Sequence, residues 1–194
     1  MLVIYLSLFV AVAHGYKSGA PVVACDSMTP GHNVEAQVGP SRHSFTTSKS
    51  IVYPGEELTV TLKSFSANDD FKGFFIQARD PRTQKAIGEF LTDYSSDVAK
   101  VQPVDCHSVR RSSLTHKDPS LKNSVIAKWK APYYLTNNTE FRFYYTVVRE
   151  FNTFWVRQES QTVMFRSGAE SVVAQTAAIL GGLFFTLVLR RTQA

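Results

Sequence analysis

Two cysteines, Cys25 and Cys106, are the residues of this 194-residue chain best suited to covalent chemistry. A catalytic or redox-active thiol needs a lowered pKa and usually a Cys-x-x-Cys spacing, whereas these two lie about 80 residues apart. Two cysteines in one exported domain ordinarily pair, and closing so long a loop is worth roughly 4 to 5 kcal/mol by chain entropy. A structural disulfide is therefore expected rather than two free thiols. The histidines beyond the first fifteen residues are His32, His43, His107 and His116. They show no HExxH or other close ligand spacing, so packing or hydrogen bonding is the expected role of each. His107 beside Cys106, and His116 in Thr115-His116-Lys117-Asp118, come nearest to a metal ligand or general base. The acid pair Asp69-Asp70 follows Asn68 in turn chemistry and reads as solvated, with no calcium-loop pattern around it. GxSxG, Walker A and GxGxxG patterns are absent. Neither an enzyme nor a metal or cofactor site is expected.

What chemistry remains is recognition. Asn137-Asn138-Thr139 is an N-glycosylation sequon on a turn, so Asn137 is expected to carry a glycan. Most of the 14 Phe, 8 Tyr and 2 Trp fall on alternating segments where core packing explains them. The stretch Phe151 to Trp155 is different: aromatics crowd a turn, which leaves Phe151 or Phe154 to act as a contact. Arg157, Tyr133 and Tyr134 complete a candidate surface, and Arg110-Arg111 is the tight basic pair. The formal charge of +5 is scattered and joins no basic run to stacking aromatics, which argues against nucleic acid.

These groups must be held by strands. Leu58, Val60 and Leu62 alternate with Thr59, Thr61 and Lys63; Val125, Ala127 and Trp129 alternate with Ile126, Lys128 and Lys130; Phe141, Phe143, Tyr145 and Val147 alternate with Arg142, Tyr144, Thr146 and Val148. Period two sends one side of a strand to a core and the other to solvent. Shorter strand-like runs lie at 73–79, 154–157 and 162–165, divided by Tyr53-Pro54-Gly55, Asn68-Asp69-Asp70, Asp80-Pro81 and Ala131-Pro132. Seven or so short strands predict an all-β, antiparallel sandwich. Residues 93–122 are the least regular stretch and are expected to form a long loop.

The two ends read as targeting segments. Residues 1–15 pair an apolar block, Leu2 to Ala13, with small residues suited to a signal peptidase, cleaving after Gly15 or Ala13. Residues 172–189 carry no charge, and as a helix they would span about 27 Å, close to the bilayer's hydrocarbon thickness. Arg190 and Arg191 follow on the expected cytoplasmic side. The expected order is a leader (1–15), an ectodomain (16–166), a spacer (167–171), a single transmembrane helix (172–189) and a short tail (190–194). The protein would then sit in the cell membrane with its N-terminal domain outside. A GPI signal with an acceptor in Ser167-Gly168-Ala169 is the alternative. Gly181-Gly182 beside Ala177 and Ala178 would permit helix-mediated self-association.

Several local patterns resemble the reeler (reelin-type) domain family. Gly19-Ala20-Pro21, Ala24-Cys25 and Met28-Thr29-Pro30-Gly31-His32 are similar to its opening, and Gly73 to Arg79 to its most distinctive strand. Cys106, Thr115-His116, Trp129-Lys130-Ala131-Pro132 and Phe154-Trp155-Val156 follow in the family's order. The resemblance covers about residues 16–166. It implies an immunoglobulin-like β-sandwich with Cys25 paired to Cys106. It also implies kinship with small insect defence proteins and with the front module of ferric-chelate-reductase-like proteins. The function expected is cell-surface recognition, with microbial surface glycans or lipids, or an extracellular protein, as partner. Adhesion and an accessory role in redox chemistry are the alternatives. No counterpart of the reductases' multi-helix haem domains is expected in these residues, and transmembrane electron transfer needs such haem ligands.

Overall fold

The computed structural model describes residues 16–92 and 100–168. Their strands, in chain order, are β1 (His43–Thr47), β2 (Ile51–Val52), β3 (Glu57–Ser64), β4 (Gly73–Arg79), β5 (Ala86–Ile87), β6 (Glu89–Leu91), β7 (Val101–Cys106), β8 (Val109–His116), β9 (Ser124–Lys130), β10 (Thr139–Glu150), β11 (Thr153–Glu159) and β12 (Val163–Phe165). One sheet has the order β1-β3-β9-β6. The other runs β2-β12-β10-β4-β8-β7, with β11 beside β10 and β5 beside β4.

The alternating strands behave as their period requires. In β3 and β9 the register sets Leu58 opposite Trp129, Val60 opposite Ala127 and Leu62 opposite Val125, so six side chains share one face. They meet Phe141, Phe143, Tyr145 and Val147 of β10 in one buried cluster. The Trp129 indole lies 5.3 Å from the Phe141 ring and 5.2 Å from that of Phe143, and its Nε1–H donates to the Ile87 carbonyl. A buried indole thus keeps its one polar group satisfied. Both core clusters and the cysteine pair lie within residues 24–165, so this segment contains the contacts that close the domain.

Strand β4 departs from alternation, because all seven of its residues are buried. It sits between β10 and β8 in the larger sheet. Phe74, Ile76 and Ala78 face the sandwich core, while Phe75 joins a second cluster on the outer side with Ala24, Cys25, Met28 and Cys106. A strand covered on both faces reads as a near-continuous apolar run.

Three expectations need correction. Residues 101–116 are not loop: β7 and β8 form a hairpin, pairing Val101 with His116 and Cys106 with Val109. Their two-residue turn, His107-Ser108, has φ of 55° and 62°, the left-handed pair that matches strand twist in tight hairpins. The sandwich is not wholly antiparallel, since β12 runs parallel to β2. Nor is Asp69 solvated. It is buried, accepts hydrogen bonds from Ser66 Oγ and Arg42 Nε, and takes part in an ion pair with Arg42. Asp70 accepts from Ser64 Oγ. Among the described residues no helix is long and apolar enough to cross a membrane. The leader at 1–15 and the apolar run at 172–189 lie outside them.

Candidate functional site

Residues 16–41 contain no strand and are laid over the outer face of the larger sheet by side chains from it. Cys25 and Cys106 form the disulfide, with 5.6 Å between Cα atoms. Gln77 of β4 donates from Nε2 to the Cys25 carbonyl at 3.1 Å and to Cys106 Sγ at 3.3 Å. Arg79 donates to the carbonyls of Cys25 and Asp26. Further along, Ala20 N–H donates to Thr115 Oγ1, and Thr146 Oγ1 donates to the Met28 carbonyl. Apart from the disulfide and the bond to Cys106 Sγ, each tie satisfies a backbone group of the strandless segment.

The histidines belong to this scaffold. His107 Nδ1 accepts from Ala86 N–H, which places the proton on Nε2, 2.8 Å from Asp26 Oδ1. That contact holds the Asp26 carboxyl below its usual range. His116 Nδ1 accepts from Phe74 N–H, so Nε2–H faces the Tyr16 carbonyl at 3.3 Å. Burial pushes the His116 and His32 imidazoles down, so both are neutral near pH 7. Among the described residues there is no group of three His, Cys, Asp or Glu side chains arranged to hold a metal ion.

Where the N-terminal segment parts from the sheet it leaves an open groove of about 340 Å³. Ala20, Met28, Phe75, Val148 and Phe151 supply apolar walls, and His32 and His116 also lie on the lining. His32 is stacked on Phe151, with ring centroids 4.7 Å apart. The charged lining residues are Lys17, Lys72, Arg149 and Glu150. Lys72 and Glu150 pair at 2.7 Å, so the groove carries a positive excess. Its size falls at the lower end of the roughly 300–1,000 Å³ common for small-molecule sites.

The residues proposed from sequence do not form one surface. Phe151 is exposed and lines the groove. Phe154 is not an exposed contact: it is fully buried, its ring edge-on to His32 at 5.2 Å, because the register of β11 on β10 sets it opposite Val148 under the N-terminal segment. Arg157 is exposed and lies 5.3 Å above the Tyr144 ring. That ring borders a second, polar cleft of about 230 Å³ with Arg79, Arg142 and Glu159. Tyr133 and Tyr134 are exposed before the start of β10, while Phe151 follows its end. The twelve residues of β10 lie between them in the chain. The Arg110-Arg111 pair is split. Arg110 is exposed, whereas Arg111 is half-buried, its guanidinium donating to Thr92 Oγ1 and facing Glu89 while its backbone N–H donates to Asp105 Oδ1. Asn137 sits on the expected turn, its Oδ1 accepting from Ser167 N–H. The groove was not foreseen. Its available signal was Val148, an apolar residue at an outward position of β10.

A model of the Reeler domain matches residues 23–171. The chain is 30% identical over 164 residues to the "Putative defense protein" of Bombyx mori, covering 83% of this chain and 92% of that protein. It is 32% identical over 180 residues to "Putative ferric-chelate reductase 1" of Danio rerio, but there it covers 92% of this chain and 30% of the relative. The chain thus spans under a third of that reductase's length. Among solved structures, the human F-spondin reeler domain, crystallised as a separate fragment, superposes with a TM-score of 0.53 at 19% identity, covering 69% of this chain and 94% of that one. The likeness in structure is one of fold. With a family model spanning most of its length and a defence-protein relative matched nearly end to end, this chain belongs to the Reeler domain family.

Proposed function

We propose that this protein is a non-catalytic recognition module displayed on the cell surface, where its sandwich engages microbial surface glycans or lipids in host defence. The observation that carries this reading is where similarity stops. It runs through 92% of the Bombyx mori defence protein but only 30% of the Danio rerio reductase. The family model spans residues 23–171, the stretch that holds the sandwich, so in this reading the function belongs to a surface of that domain. Residues 1–15 act as a removable leader, 172–189 as the membrane anchor, and Asn137 as a glycan site in the same reading.

The test is retention of residues 16–168 on washed bacteria, lipopolysaccharide and β-glucan. Saturable binding to at least one supports the proposal. No binding to any of them, together with clustering of cells that display the full chain, would replace defence with adhesion.

A further inference from the structure

We infer that the groove between the N-terminal segment and the larger sheet is a lipid site, taking one acyl chain whose anionic headgroup rests against Lys17 and Lys72. This deepens the recognition reading and rests on it. The walls come from Ala20, Met28, Phe75, Val148 and Phe151, side chains that offer contact area and no hydrogen bonds. Several of the polar groups that could bind a sugar are already used, and among the described residues His32 Nδ1 is the buried lining atom left without a partner. Thr146 Oγ1 donates to the Met28 carbonyl, and both His116 nitrogens are engaged with backbone. A glycan forced against the apolar walls would lose water from more hydroxyls than these few groups can pair, at a cost of about 1–3 kcal/mol for each unpaired hydroxyl. An alkyl chain loses nothing of the kind and gains burial.

Charge selects the headgroup. Lys17, Lys72 and Arg149 face a single carboxylate, Glu150, on the lining. Lys72 is paired with Glu150, and Arg149 also acts on Asp69, whose carboxyl it helps to hold down. Lys17 has no ion-pair partner among the described residues and supplies the most available positive charge. The volume of about 340 Å³ suits one chain rather than a bundle, near the lower end of common ligand sites.

The probe is cis-parinaric acid, a fluorescent fatty acid, with its methyl ester as the uncharged control, titrated into residues 16–168. Saturable one-to-one binding of the acid is expected. Val148→Trp, which fills the groove from a half-buried position, should weaken acid and ester alike by at least about tenfold. Lys17→Glu should weaken the acid by roughly two- to fivefold and spare the ester, as expected for an exposed charge. Glu150→Gln, which frees Lys72, should strengthen the acid by a similar factor. Circular dichroism and melting temperature confirm that each variant is folded. The inference is overturned if the folded domain binds neither probe, if Val148→Trp binds as the parent does, or if Lys17→Glu and Glu150→Gln leave the acid unchanged. Retention on bacteria by Val148→Trp at the parent level would leave the recognition reading standing and remove only this site from it.

Discussion

Arg79 donates from Nη2 to the carbonyl of Cys25 at 2.7 Å, so a strand at the centre of the larger sheet grips the disulfide's own backbone. The same nitrogen reaches the Asp26 carbonyl at 2.9 Å, and Nε donates to Gln77 Oε1. Because Arg79 is buried, its removal strands carbonyls that water cannot reach. Arg79→Met is expected to cost about 3 kcal/mol, read as a lower urea midpoint with an unchanged slope. Loss of less than about 0.5 kcal/mol, the level of an ordinary surface change, would show that the grip is incidental.

The disulfide closes a loop of 81 residues, which chain entropy values at about 4.5 kcal/mol. Cys25→Ala with Cys106→Ala should lower the urea-unfolding free energy by that order. Both sulfurs are shielded, so in the parent protein thiol labelling after mild reductant should lag until denaturant opens the domain. Rapid reduction of the native protein would contradict the burial.

Two glycines separate strain from crowding. Gly88 has φ of +70°, and a Cβ there would lie 2.2 Å from Cζ2 of the buried Trp129. Gly39 has φ of +87° with nothing within 4 Å. Gly39→Ala should cost only the backbone term of about 1–2 kcal/mol. Gly88→Ala must also move the central indole and should exceed it by roughly another 1–3 kcal/mol, measured as a difference in thermal midpoint.

Stability should fall in mild acid. Burial holds His43 and His116 below the ordinary histidine value of 6.5, so they resist protonation when folded. The unfolded chain takes up those protons first. Stability is therefore fully present above pH 6.5 and is lost as pH falls through the lower folded values. His43→Gln should be weaker at neutral pH, having lost the contact of Nε2 with the Asp69 carbonyl, yet flatter below pH 6.5. A second decline begins below the ordinary carboxyl value of 3.8 as Asp69 protonates, its pKa being held down chiefly by the Ser66 hydroxyl and then by Arg42. Melting temperatures from pH 8 to 3 check both phases.

Strands with one wet face announced themselves. The alternating runs at 57–64 and 124–130 coincide with β3 and β9, because leucine, valine and tryptophan at every second position leave little else to form. The β7–β8 hairpin did not show itself. Pro103 interrupts one strand, and Ser112, Ser113 and Thr115 are the buried residues of the other alongside Leu114. Hydroxyls that bond backbone, as Ser112 does with both N–H and carbonyl of Cys106, carry no hydrophobic period. Asp69 escaped for a related reason: a buried carboxylate is recognised by partners such as Arg42, 27 positions away, and not by its neighbours in sequence. The groove is tertiary throughout, since Met28 and Val148 come to line one space only once residues 16–41 lie across the sheet.

Strand β10 also sets the sequon and the groove apart. Its first residue, Thr139, pairs with Phe165, beside the place where Ser167 bonds Asn137, and its last, Glu150, lines the groove. A sugar carried on Asn137 and a ligand held in the groove would therefore sit by opposite ends of one strand, so that occupancy of either leaves the other free.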